Sequence, residues 1–105
     1  MLNDRIYLAP PSVGVAEISR VIAALESGWV APVGPELSGF ETDICTITGA
    51  RAAVALSSGT AALHLGLKAI GVKPGDEVIC PTLTFAASAF AIVHAGATPV
   101  FLDSE

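Results

Sequence analysis

The chain has 105 residues, which is one domain at most. It is unusually apolar, with 52% hydrophobic and 14% charged residues and a mean hydropathy of +0.68. A free-standing domain this small carries more polar surface, so the composition fits the interior part of something larger. The net charge of −5, with no Lys/Arg cluster and no interleaving of aromatic and basic residues, argues against nucleic-acid binding.

The first residues, Met1 to Arg5, carry charge where a signal peptide would build its apolar core, and Pro10-Pro11 follow soon after. The longest apolar run, Phe85 to Val93, is broken by Ser88 and falls well short of the ~18–20 residues of a membrane span. Cys45 and Cys80 lack metal-ligand spacing, and two buried free thiols in a cytoplasmic protein are expected.

In chain order, Arg5–Leu8 reads as a short extended segment. A helix is expected from Gly14 to Ser27, because Ile18, Val21, Ile22 and Leu25 repeat at helical spacing and Gly28 stands where a helix stops. The Gly/Pro-rich loop Gly28–Pro35 follows, and its Trp29 is expected to anchor on the core. A second helix is expected over Pro35–Thr48, with Pro35 in the first turn, an apolar face of Leu37, Phe40, Ile44 and Ile47, and Gly49 as its stop.

The stretch Ala52–Leu67 organises the rest. It reads as a strand apolar on both faces (Ala53–Leu56), a small-residue turn (Ser57-Ser58-Gly59) and a helix from Thr60 to Ile70. The first N–H groups of such a helix lack intrahelical partners and sit at its positive end, so the turn suits a phosphate. It equally suits plain helix capping after a strand, and the stretch alone leaves these readings even. The turn Lys73–Asp76, a strand Glu77–Cys80, a helix over Thr82–Ala95 and a strand Pro99–Leu102 complete a β-α-β-α-β pattern. Crossover helices demand parallel strands, and ligands of open α/β sheets bind at the strands' carboxyl ends. Three segments lie there: Ser57–Thr60, Pro81–Phe85 and Asp103–Glu105.

The sequence lacks both the G-x-G-x-x-G dinucleotide fingerprint and the P-loop. Ser57 and Ser58 have no partner arranged by a local motif for nucleophilic work. His64 is expected to be a satisfied packing histidine, with a role behind the ligand site as the alternative. His94 suits a helix C-terminus. Asp76 and Glu77 read as solvated turn charges, and nothing pairs Asp103 with Glu105 for acid/base chemistry. No metal site is expected.

The run SSGTAALHLGLKAIGVKPGDEVICPTLTFAASAFAIVHAGATPVFLD resembles the start of the cofactor domain of the DegT/DnrJ/EryC1/StrS family, and SGWVAPVGPELSGFE upstream is similar to that family's preceding loop and helix. The combination of S-G-T-A-A-L, P-G-D-E-V-I, P-x-x-T-F and G-A-x-P-V-F carries the resemblance, which covers nearly the whole chain. These are pyridoxal phosphate (PLP)-dependent sugar aminotransferases of the aspartate-aminotransferase fold (fold type I). The resemblance implies an α/β fold that is part of a three-layer α/β/α large domain with a mostly parallel sheet. It implies an N-terminal segment with two helices over residues 1–50 and the start of the PLP-binding domain over 51–105. In the family's sheet the first strand is separated from the second by later strands, so only the second and third of the strands above should touch.

By the same resemblance, Gly59, Thr60 and Ala61 match the turn that holds the cofactor phosphate, and Phe85 matches the aromatic that stacks on the pyridine ring. The Schiff-base lysine and the acidic partner of the ring nitrogen come later in the family. Lys68 and Lys73 are this chain's lysines, and neither falls at a strand's carboxyl end. The chain is therefore expected to contain no catalytic residue and not to transaminate by itself. The full-length protein is expected to be a cytoplasmic homodimer that takes an amino group from an amino-acid donor, glutamate in the family, to a nucleotide-linked keto sugar. Two alternatives stand beside it: a PLP-dependent sugar dehydratase of the same family, with histidine at the lysine position, and a truncated remnant or interaction module without catalysis.

Overall fold

The computed structural model describes residues 9–103. The expected extended segment Arg5–Leu8 and the residues Ser104 and Glu105 lie outside them. The chain divides into two compact units at Ala53/Val54.

The first unit is two helices and their loop. Helix α1 spans Val15–Ser27. Its N-terminus is closed from one side only: the Gly14 N–H donates to Glu17 Oε2 at 2.7 Å, while Gly14 has no side chain to return the bond. This bond and the nearby backbone hold the Glu17 carboxyl below the ordinary value of 4.5, the Glu17 N–H contributing most and the Gly14 N–H next. Helix α2 spans Pro35–Thr48, with Pro35 in the first turn. Both end as expected on left-handed glycines, Gly28 at φ 76° and Gly49 at φ 72°. Arg20 of α1 meets Glu36 of α2 at 3.3 Å in an exposed ion pair.

Two expectations in this unit are corrected. Trp29 does not anchor on a core: it is 55% exposed and folds back over Gly34, whose α-carbon lies so close that an added Cβ would sit 3.3 Å from Trp29 Cβ. Cys45 is half-buried rather than buried, although both cysteines are free. The apolar stripe of α1, including Ile18, Val21 and Leu25, stands at least half exposed, in keeping with a composition too apolar for a free-standing unit.

The second unit carries the sheet. Helix α3 spans Gly59–Ala69, strand β1 Glu77–Pro81, helix α4 Ala87–His94 and strand β2 Thr98–Leu102. Strands β1 and β2 pair in parallel, Glu77 opposite Thr98 and Pro81 opposite Leu102. The crossover α4 packs on both strands and against α3. The core is small: Cys80 from β1, Ala91, Ile92 and Ala95 from α4 and its cap, and Ala97 before β2, with Leu67, Val72, Val78 and Ala89 around it. Two polar contacts tie the amino end of the sheet. Asp76 Oδ2 accepts from the Lys73 N–H at 2.9 Å, and the Asp76 carbonyl accepts from the Thr98 N–H at 2.9 Å. Asp76 is thus a turn-forming residue rather than a merely solvated charge.

The stretch Ala53–Leu56 joins no sheet among the described residues. Strands β1 and β2, the second and third of the expected strands, pair with each other. The helix expected over Thr82–Ala95 is shorter at its start. Thr82 is spent on the sheet, its N–H donating to the Leu102 carbonyl at 2.9 Å. Residues 82–86 form a loop, and the hydroxyls of Thr84 and Ser88, 2.9 Å apart, join its end to the first turn of α4.

Candidate functional site

The crossover helix α4 runs against the direction of the strands, and α3 packs along it. Lys68, in the last turn of α3, donates from Nζ to the Ala95 carbonyl at the end of α4 (3.4 Å), which fixes the two helix C-termini at one end of the unit. Their N-termini therefore lie at the other end, where β1 and β2 finish. That end carries the α3 N-terminus, the loop Thr82–Phe85 and Asp103, the three segments that the parallel pattern singles out.

At the α3 N-terminus, Ser58 is the capping residue. Its backbone is extended (φ −163°, ψ 159°) and its hydroxyl accepts from the Ala61 N–H at 3.1 Å. Its carbonyl accepts from the Ala62 N–H at 3.0 Å. These bonds engage Ala61 and Ala62, so Gly59 and Thr60 hold the N–H groups for which the helix itself supplies no carbonyl. An added Cβ at Gly59 would meet nothing within 4 Å, so the backbone there is open to close approach. Thr60 and Ala61 are half-buried. The arrangement suits a phosphate: two N–H groups and the Thr60 hydroxyl at the positive end of an eleven-residue helix.

Phe85 stands in the loop after β1 with 84% of its surface exposed. The structure thus brings Gly59, Thr60, Ala61 and Phe85 to the same end of one unit. It does not bring a lysine there. Lys68 lies at the far end of α3, about 13 Å along the helix axis from Gly59. Lys73 lies in the turn before β1, also at the opposite end.

Sequence reasoning missed the polar bracing around Phe85. Thr82 Oγ1 donates to Asp103 Oδ1 at 3.2 Å across the two strand ends, and Thr84 Oγ1 and Ser88 Oγ lie 2.9 Å apart. The second bond joins the loop residue Thr84 to the first turn of α4, so helical spacing gave no signal for it. The first depends on the parallel register. His64 also departs from expectation. Its ring packs edge-on against His94 (centroids 5.9 Å apart, interplanar angle 64°), but its buried Nε2 has no hydrogen-bond partner among the described residues. It is a packing histidine without being a satisfied one.

The profile of the DegT/DnrJ/EryC1/StrS aminotransferase family matches residues 11–105. The chain belongs to this family. It is 43% identical over 104 residues to EpsN of Bacillus subtilis (strain 168), which carries the name of a pyridoxal phosphate-dependent aminotransferase; the match takes in 99% of this chain and 27% of EpsN. It is 48% identical over 108 residues to the spore coat polysaccharide biosynthesis protein SpsC of the same organism, covering 100% of this chain and 28% of SpsC. Among solved structures it resembles Spr1654 from Streptococcus pneumoniae, named as a sugar aminotransferase and solved in PLP and PMP forms. The TM-score is 0.83 at 43% identity, over 95% of this chain and 25% of that one. The aminotransferase from Psychrobacter cryohalolentis also gives 0.83, at 38% identity over 92% of this chain and 25% of that one.

The fold is therefore part of the fold type I large domain, and the parallel β1–α4–β2 unit is one piece of its layered sheet. The chain spans about a quarter of the length of the relatives it matches. Among the described residues no helix is long and apolar enough to cross a membrane, and no group of three or more His, Cys, Asp or Glu could hold a metal ion.

Proposed function

We propose that the full-length protein is a PLP-dependent aminotransferase that passes an amino group, taken from glutamate, to the ketone of a nucleotide-linked sugar. The observation that supports this reading is an open helix N-terminus and an uncovered aromatic ring at the same end of one unit, in a chain of this family. The sugar is supported by the named function of Spr1654, and a role in polysaccharide synthesis by that of SpsC.

Each residue has a distinct task. The N–H groups of Gly59 and Thr60 and the Thr60 hydroxyl bind the cofactor phosphate. Ala61 supports them indirectly, since its N–H is held by Ser58 and fixes the first turn. Phe85 covers one face of the pyridine ring and keeps water from it. When bound, pyridoxal phosphate supplies the electron-withdrawing ring that makes transfer of an amino group between two carbonyl compounds possible. The residues that hold and move the proton in that transfer lie outside this chain, and the chain by itself does not transaminate: Lys68 and Lys73 stand at the wrong end of the unit. The full-length enzyme is a cytoplasmic homodimer on this reading.

The test is to incubate the full-length protein with PLP, glutamate and a panel of nucleotide-linked keto sugars, and to follow the sugar by mass spectrometry. Conversion of a ketone to an amine supports the proposal. Loss of a hydroxyl without gain of nitrogen assigns the dehydratase chemistry instead, and no reaction with any sugar refutes the substrate class.

A further inference from the structure

Phe85 is unusual in being both uncovered and firmly placed. A phenylalanine with 84% of its surface in water gains nothing from burial within this unit, yet the loop that presents it is tied at both ends. At its start, the Thr82 N–H donates to the Leu102 carbonyl at 2.9 Å, and Thr82 Oγ1 donates to Asp103 Oδ1 at 3.2 Å. At its end, the Ser88 N–H donates to the Phe85 carbonyl at 3.0 Å, and the hydroxyls of Thr84 and Ser88 meet at 2.9 Å.

Ser88 is the fixed member of that last pair. It lies in α4, is half-buried, and lines an apolar groove of about 170 Å³ with Leu63, Leu67, Cys80 and Ala91. One turn further along α4 stand Ala91 and Ile92, both buried in the core. The Thr84–Ser88 bond thus carries the rigidity of the core out to the residue next to Phe85.

We propose that Thr84 and Ser88 are positioning residues for the cofactor. Their hydroxyl pair sets the tilt at which the Phe85 ring meets the pyridine ring, so that the aromatic face is ready before the cofactor arrives. Ordering a loop in advance spares the bound state that entropy, which raises affinity without a new contact. The proposal rests on the reading that Phe85 stacks on the ring.

The experiment uses the full-length enzyme freed of cofactor, with PLP itself as the probe. Thr84→Val and Ser88→Ala are each compared with Thr84→Ser and with Phe85→Ala. Three quantities are read: the PLP dissociation constant, the circular dichroism induced in the cofactor's visible band, and the melting temperature of the cofactor-free protein. A lost hydroxyl bond at a partly exposed site corresponds to about a 3- to 10-fold loss of affinity. Thr84→Val and Ser88→Ala should each weaken PLP by about that factor and alter the induced band, and together they should weaken it no further. Thr84→Ser should restore both, and the melting temperature of the cofactor-free protein should fall by no more than the few degrees that one lost bond gives.

A Thr84→Val enzyme with unaltered affinity and band overturns the proposal. So does one whose cofactor-free protein melts far lower than one lost bond explains, because the weaker binding would then follow from a damaged fold. If Phe85→Ala leaves PLP binding intact, the stacking reading itself fails and the proposal goes with it. If Phe85→Ala weakens binding and Thr84→Val does not, only the positioning role falls.

Discussion

Gly96 offers the cleanest quantitative test of the packing at the end of the sheet opposite the site. It follows α4 with φ 86°, a left-handed conformation that strains any residue with a Cβ. A Cβ added there would lie 2.9 Å from Pro74 Cγ and 3.4 Å from Pro74 Cα. The ring carbon can shift, but the backbone atom belongs to the Lys73–Asp76 turn that Asp76 pins to Thr98. Gly71 is the natural control, since its φ is 92° and an added Cβ would meet nothing within 4 Å. Gly71→Ala should therefore cost only the conformational strain, about 1–2 kcal/mol, partly offset by the ~0.4–1 kcal/mol that alanine removes from the freedom of the unfolded chain. Gly96→Ala carries the same terms plus overpacking of about 1–3 kcal/mol. The difference between the two variants isolates the contact with Pro74. Urea unfolding of the full-length protein, with both variants measured beside the parent, reads it directly. Equal destabilisation would show that the turn does not sit under Gly96, and the reasoning about this end of the sheet would be wrong.

Three further outcomes are expected. Ser58→Ala removes the cap on the Ala61 N–H and should destabilise the protein by about 1 kcal/mol, with Ser58→Thr close to the parent in thermal unfolding; an unchanged melting temperature for the alanine variant would deny the capping bond. Ile92→Ala empties the centre of the small core and should cost about 2–5 kcal/mol, read as a shift of the urea midpoint, whereas a change below about 1 kcal/mol would show that the core repacks around the loss. The α1 cap should be acid-labile. Because the Glu17 carboxyl is held below its ordinary value of 4.5 by backbone N–H groups, its contribution is fully present above that value and is lost as the pH falls through the lower value of the folded state. The protection of the Gly14 amide against exchange, taken relative to the intrinsic rate at each pH, should therefore fall on acidification, and Glu17→Gln should abolish that pH dependence.

Much of this architecture was legible because it is written locally. The ends of α1 and α2 follow from Gly28, Pro35 and Gly49, whose backbone preferences act without neighbours. The parallel pairing of β1 and β2 follows from the crossover length. What escaped depends on residues distant in sequence. Whether Ala53–Leu56 is a strand is decided by a partner and not by its own composition. The start of α4 moved because the Thr82 N–H found the carbonyl of Leu102, twenty residues on. The His64–His94 contact joins two helices whose facing sides no periodicity fixes. The candidate site divides in the same way. The Ser58 cap and the open Gly59 were visible as a strand–turn–helix pattern, while the bracing of Phe85 needed the register of two strand ends.

The central claim is that Gly59, Thr60 and Phe85 form one cofactor cradle. The most direct measurement is an equilibrium titration of the cofactor-free, full-length protein with PLP, comparing the parent with a variant carrying Thr60→Ala and Phe85→Ala together. Loss of a phosphate hydrogen bond and of the stacked ring predicts binding weakened by at least about 10-fold, with the cofactor-free fold intact by circular dichroism. A double variant that binds PLP as tightly as its parent would contradict the account.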